Sequence, residues 1–427
     1  MRVARTLLLV TPFVTAVVLC FSTGRTSAHA SRFELGRPIE GLSLQERKLF
    51  RDGKEAFEEE EAESDGLGPI FNNTGCATCH SAPVVGGSSP LNETRGQKLT
   101  GNTLIELPGG SLFQSDAISA ACRESVPLEA NVIAPRQTTP LFGMGLIEAI
   151  PDFQIEGYRF LQARLHPEQA GRLAVIDDVA SGTRRVGRFG WKNQQATLPA
   201  FSGDAYLNEM GITSKLFPNE NPPNGDLTKL KACDKHPDPE DEDDDVTLFT
   251  NFMRLLAPPP RDAGLSRLDG SDSDFEHRFD RGGGGDRGDH GDRGDRGDHG
   301  DRGDRGAARG ERVFQQIGCA VCHHAGYVTR SRIEALDGKR VGAYSDFLLH
   351  DIGTGDGIAQ AAARPNELRT TPLWGLSESA PYLHDGSAAT VRDAIKRHGN
   401  QAATARAAYD ALPFELQSAL LDFLDAI

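Results

Sequence analysis

Two five-residue stretches carry the sharpest chemistry in the sequence: Cys76-Ala77-Thr78-Cys79-His80 and Cys319-Ala320-Val321-Cys322-His323. Two thiols three positions apart can each add to a vinyl group of one haem. The His that follows then lies under the ring, where a ring nitrogen can bind iron. The chain has 7 cysteines and 12 histidines in 427 residues, and at that composition chance yields about 0.003 such stretches. A thioredoxin-type Cys-x-x-Cys requires neither the His nor a second copy. A zinc site pairs its knuckles at about 15–20 residues, far closer than these two lie. The spacing therefore predicts two covalently bound c-type haems, with His80 ligating the first iron and His323 the second.

A haem held by one His has a second axial position. Filled by a side chain, the haem carries electrons. Left open, it can take peroxide, provided a nearby acid–base group moves a proton between the two oxygens. Function turns on what surrounds each motif.

The elements that must position the motifs are legible in part. Ser43-Leu44-Gln45-Glu46 is a capping box and predicts a helix through Leu49, Phe50 and Phe57, ahead of the first motif. Gly310 to Gly318 reads as a short helix with Val313, Phe314 and Ile317 on one face, leading into Cys319. A helix capped by Asp245 carries Val246, Phe249, Phe252, Met253 and Leu256 and stops at Pro258-Pro259-Pro260. Thr390 and Asp393 open another helix, with Val391, Ile395 and His398 on one face. Residues 81–140, rich in Gly, Pro, Thr and Ser, read as loops. From Gly285 to Gly306 a Gly recurs at every third position among Asp, Arg and His. The run has no Pro, which argues against collagen and for a disordered linker.

Residues 1–30 read as a secretory signal peptide: Arg2 and Arg5, an apolar run from Leu7 to Phe21, and Ala28-His29-Ala30 as the cleavage pattern. The apolar run is shorter than the about 20 residues that a span needs. The expected layout is a signal peptide (1–30), an N-terminal haem domain (31–260), a linker (261–306) and a C-terminal haem domain (307–427). The expected product is exported or periplasmic, with no stable membrane span. The apolar share, 38 %, is that of a globular chain. A net charge of −15 excludes generic nucleic-acid binding, which needs a basic face.

Cys122 and Cys233 lie in polar stretches and read as a disulfide or as two buried thiols. The acidic run Asp238 to Asp245 leaves Ca2+ as a further candidate cofactor against a solvated acidic loop, since the EF-hand spacing with its Gly is absent. His324, next to His323, is expected to face solvent. Asn92-Glu93-Thr94 matches a glycosylation acceptor, a pattern common by chance.

Beyond the two motifs, several stretches resemble the bacterial di-haem cytochrome c peroxidase superfamily, in its branch of di-haem oxidoreductases/peroxidases. They are Gly66-Leu-Gly-Pro-Ile-Phe71, Thr139-Pro-Leu-Phe-Gly-Met-Gly-Leu-Ile-Glu148, Phe189-Gly-Trp191 and Asn208-Glu-Met-Gly-Ile-Thr213. The second half adds Tyr344-Ser-Asp-Phe-Leu-Leu-His-Asp-Ile-Gly353, Arg369-Thr-Thr-Pro-Leu-Trp-Gly375 and Ala380-Pro-Tyr-Leu-His-Asp-Gly386. The resemblance implies a mainly α fold of two cytochrome c-like haem domains with long loops. It places His398 where the family has an axial Met on the C-terminal haem, which lowers the expected potential, since Met ligation raises it. It implies Glu209 as the acid–base residue of O–O cleavage and Trp191 as an electron relay between the haems, with Trp374 a second candidate. His350, His384 and Asp385 are read as contacts of the second haem rather than ligands. Met144 and Met210 are the candidates for the sixth position of the first haem, which is expected to be open or loosely held. The function implied is reduction of hydrogen peroxide at the N-terminal haem, with electrons from a small redox protein, a cytochrome or cupredoxin, entering through the C-terminal haem. The alternatives are a plain electron-transfer cytochrome and a peroxide-driven oxidase of another protein.

Overall fold

The capping box forms as predicted. Ser43 Oγ accepts from the Glu46 amide at 3.2 Å, and Glu46 Oε2 accepts from the Ser43 amide at 2.8 Å. The helix it opens, Leu44–Glu58, buries Phe50, Ala56 and Phe57. Those residues pack on the Asp245–Leu255 helix, with Phe57 and Phe252 ring centroids 4.9 Å apart and Phe50 and Phe252 5.4 Å apart. Gly53 sets how closely the two helices approach, because a Cβ there would lie 2.3 Å from the Leu248 carbonyl oxygen. The second helix is not capped by Asp245: Asp244 holds the cap position at φ 60°, and the Asp245 amide donates to Asp241 Oδ1 at 2.7 Å.

The structure, a computed structural model, describes residues 35–241, 244–260 and 300–427. The expected signal peptide and residues 261–299 of the expected linker lie outside the described residues. The last residues of that linker do not remain irregular, since a helix runs over Gly300–Gln316. Once Ala307, Val313 and Phe314 anchor one face in a core, extending the helix toward the N-terminus adds a backbone hydrogen bond per residue.

This second helix repeats the arrangement of the first. It packs on Phe414–Asp425 through Val313 and Phe314 against Leu420, Phe423 and Leu424. Phe314 and Phe423 centroids are 5.3 Å apart, and a Cβ on Gly310 would lie 2.0 Å from the Ala419 carbonyl oxygen. In each half a helix crosses a later helix at a glycine, and a Cys-x-x-Cys-His turn follows the first helix of the pair. These turns are Cys76–Cys79 and the 3-10 turn Cys319–Val321.

Residues 81–140 are not simply loops. Strand Asn92–Thr100 pairs antiparallel with Thr103–Ile105, Leu112–Phe113 and Val132–Gln137, with Thr94 opposite Pro135 and Arg95 opposite Ala134. Four two-stranded pairs accompany this sheet among the described residues, so the mainly α expectation holds only loosely.

The larger apolar core joins the first helix pair to Leu141, Leu146, Ile150, Phe189 and Leu198, and also takes in Tyr327, Val341, Phe347 and Leu348 from beyond the linker. Packing therefore does not divide at the boundary between 31–260 and 307–427. Cys122 and Cys233 form a disulfide. Among the described residues no helix is long and apolar enough to cross a membrane.

Candidate functional site

Each Cys-x-x-Cys-His turn opens onto its own cavity. The first is lined by Cys76, Cys79, His80, Glu93, Arg95, Trp191 and Glu209, among others. The second is lined by Cys319, Cys322, His323, His350, His384 and His398, again with Trp191. The first holds about 420 Å³ and the second about 200 Å³ of space open to water, so only the first falls in the roughly 300–1,000 Å³ range of ordinary small-molecule sites.

The three histidines expected as ligands share one geometry. His80 Nδ1 lies 3.1 Å from the Gly87 carbonyl, His323 Nδ1 3.0 Å from Tyr344 O, and His398 Nδ1 2.8 Å from Ala394 O. A carbonyl only accepts, so each Nδ1 carries the hydrogen and Nε2 keeps the lone pair, the arrangement of a metal-binding imidazole. Burial pushes His80 and His323 down to about 4, and His398 below its ordinary value, so all three are neutral at pH 7. His398 falls just past the Val391–Lys396 helix, its amide donating to Ile395 O at 3.1 Å. Thr390 caps that helix through the Asp393 amide, as the sequence predicts. His323 and His398 line one cavity from opposite ends of the second half's sequence.

The protein offers partners for an anionic, iron-bearing group. Arg369 is buried in the wall of the second cavity, and its Nε donates to the Gly190 carbonyl at 2.8 Å. Burial alone pushes its guanidinium down to about 10. Nδ1 of His384 is buried with no hydrogen-bond partner. A haem, with two propionates and an iron, fits a cavity that pairs an unneutralised arginine with neutral imidazoles and two free thiols.

Glu209 belongs to the last turn of the Leu198–Met210 helix, which Gly211 ends at φ 71°, and is not on an exposed loop. Its Oε2 accepts from Asn72 Nδ2 at 2.6 Å. Burial first, and then the facing Glu93, hold its carboxyl well above the ordinary carboxylate range. Glu93 in turn is kept ionised by Arg95, with Nε and Nη2 at 2.9 and 3.0 Å from its two oxygens. Asp204, on the same cavity wall, is raised by burial to about 6. Glu93, Arg95 and Asp204 were not singled out by the sequence reading. The available signal was alternation: Glu93 and Arg95 share one face of a strand, with Thr94 on the other.

Trp191 lines both cavities, its Nε1 donating to Gln137 O at 2.9 Å, with His384 edge-on at 6.3 Å. Trp374 packs instead against the larger core beside Gly143 and Pro258. Met144 is buried in that core and does not line the first cavity, whereas Met210 does. His350 has both nitrogens engaged, Nε2 2.8 Å from Asp346 Oδ2 and Nδ1 3.8 Å from Cys322 Sγ. His324 does not face solvent freely: it stacks on Tyr158 at 3.9 Å, with Tyr327 edge-on at 4.9 Å. Asp385 is half-buried and caps the Ser387 amide.

Residues 301–427 match the family model "Di-haem oxidoreductase, putative peroxidase". The resemblance read from the motifs is thus borne out in the stretch that carries the second Cys-x-x-Cys-His, His384 and His398. It gives the chain a haem-dependent oxidoreductase character in broad terms. No curated protein matches the sequence. Among solved structures, hydrazine synthase of Kuenenia stuttgartiensis, pressurised with xenon, is similar at 16 % identity and a TM-score of 0.39, over 98 % of this chain and all of that one. A MauG-like protein associated with microbial copper homeostasis is similar at 15 % identity and a TM-score of 0.31, over 67 % of this chain and 88 % of that one. TM-scores this low do not establish a shared fold.

Proposed function

We propose that the chain is an exported di-haem peroxidase that reduces hydrogen peroxide beside His80, with electrons taken in at the His323/His398 cavity. The observation that carries this reading is a buried, proton-holding carboxyl, Glu209, in the cavity that His80 lines. Covalently held haem at each motif would supply one-electron storage and an iron to which peroxide can bind. The rest is the work of side chains. His80, His323 and His398 offer Nε2 as ligands. Glu209 takes a proton from peroxide and returns it to the departing oxygen. Hydrogen peroxide, two protons and two electrons give two waters. Trp191, in the wall of both cavities, is the path between them. Arg369 receives an anionic edge of the cofactor.

The two helix pairs crossing at Gly53 and Gly310 support two cytochrome c-like halves, and the Cys122–Cys233 disulfide suits an oxidising compartment. The acidic chain suits a small basic redox protein as donor. Cyanide titration of the ferric, haem-loaded protein tests the open position. Binding at one haem of the two is expected, and it persists in His398→Ala only as that site plus a newly opened one. Two haems that both refuse cyanide would leave an electron-transfer cytochrome.

A further inference from the structure

Away from both cavities, three carboxylates converge: Glu220, Asp238 and Glu240 each bring an oxygen within 4.8 Å of the others. Two of them are set in place by Thr213, which is fully buried. The Thr213 hydroxyl donates to Asp238 Oδ1 at 2.9 Å, and its amide donates to Glu240 Oε2 at 2.8 Å. Glu220 differs from them. Its residue is 9 % exposed, and both of its carboxylate oxygens are buried without a hydrogen-bond donor. A carboxylate stripped of water and given no donor is costly unless a cation meets it.

The nearby lysines do not serve. Lys215 pairs with Asp244 at 2.7 Å and Lys235 with Glu63 at 2.5 Å. Among the described residues no ion pair reaches any of the three carboxylates.

We propose that Glu220, Asp238 and Glu240 form a binding site for one Ca2+ ion. Three hard oxygen donors, with no thiol or imidazole among them, select Ca2+ or Mg2+ over zinc or copper. Donors drawn from two loops, 211–220 and 238–241, rather than from a rigid octahedron favour Ca2+, which takes six to eight oxygens in flexible geometry. The ion would clamp the segment that follows the Glu209 helix onto the segment that follows the Cys233 disulfide. Asp241 N already donates to Thr213 O across that join, at 3.0 Å.

The test uses the full-length, haem-loaded protein stripped with a chelator and titrated with Ca2+ by calorimetry. Glu220→Gln and Asp238→Asn are run in parallel, with unchanged haem absorbance as the check on folding. Asp238 is exposed, so its variant keeps the test sound if Glu220→Gln fails to fold. The expected result is one bound Ca2+ that Glu220→Gln abolishes and Asp238→Asn weakens at least tenfold. Equal stoichiometry and affinity in all three proteins, or no binding in any, would overturn the proposal.

Discussion

Glu209 is caught between an amide, Asn72, and a second carboxylate, Glu93, that Arg95 keeps ionised. Two carboxylates that close cannot both be charged, so the pair retains one proton, and Glu209 is the one that holds it. As a base Glu209 must lose that proton first. Peroxide turnover should therefore rise with pH through a midpoint well above the ordinary carboxylate range, which a pH–rate profile checks. Arg95→Leu removes the positive charge that favours ionisation, and should move the midpoint up by about one unit. Glu209→Gln keeps the shape without the proton site and should slow turnover by about 10²–10⁴-fold at unchanged haem content. At the second cavity, His398→Met should raise the reduction potential by on the order of 0.1 V in a spectroelectrochemical titration.

At the scale of elements, each motif hangs from a helix whose glycine meets a carbonyl of its partner helix. Gly310→Ala must push the Gly300–Gln316 helix off Phe414–Asp425, since the added Cβ has only 2.0 Å to Ala419 O. Overpacking of this kind costs about 1–3 kcal/mol, readable as a lowered thermal midpoint. The helices before the first motif and before His398 were legible because their signals are local: the Ser43 box and the Thr390 cap lie within a turn of the residues they serve. Strand Asn92–Thr100 was not, because it is polar and its pairing with Val132–Gln137 depends on contacts distant in sequence. With it went Glu93 and Arg95. The same distance hid Tyr158, so His324 read as solvent-facing. Trp191 in the shared wall was reached through family resemblance, since nothing in its own neighbourhood distinguishes it from a core aromatic.

At the scale of the whole molecule, the halves separated in sequence by the Gly-Asp-Arg run share an apolar core, and one indole borders both cavities. The disulfide joins cysteines 111 residues apart in sequence. Cys122→Ser should cost about 2–5 kcal/mol in denaturant unfolding while leaving the haem spectra unchanged. The most direct test of the account is a stopped-flow experiment without oxygen. The haem-loaded protein is reduced by two electrons and mixed with one equivalent of hydrogen peroxide while the absorbance of both haems is followed. The account predicts rapid reoxidation of both haems by that single equivalent, and slower reoxidation in Glu209→Gln. Haems that stay ferrous for minutes, or a Glu209→Gln variant as fast as the parent, would contradict it.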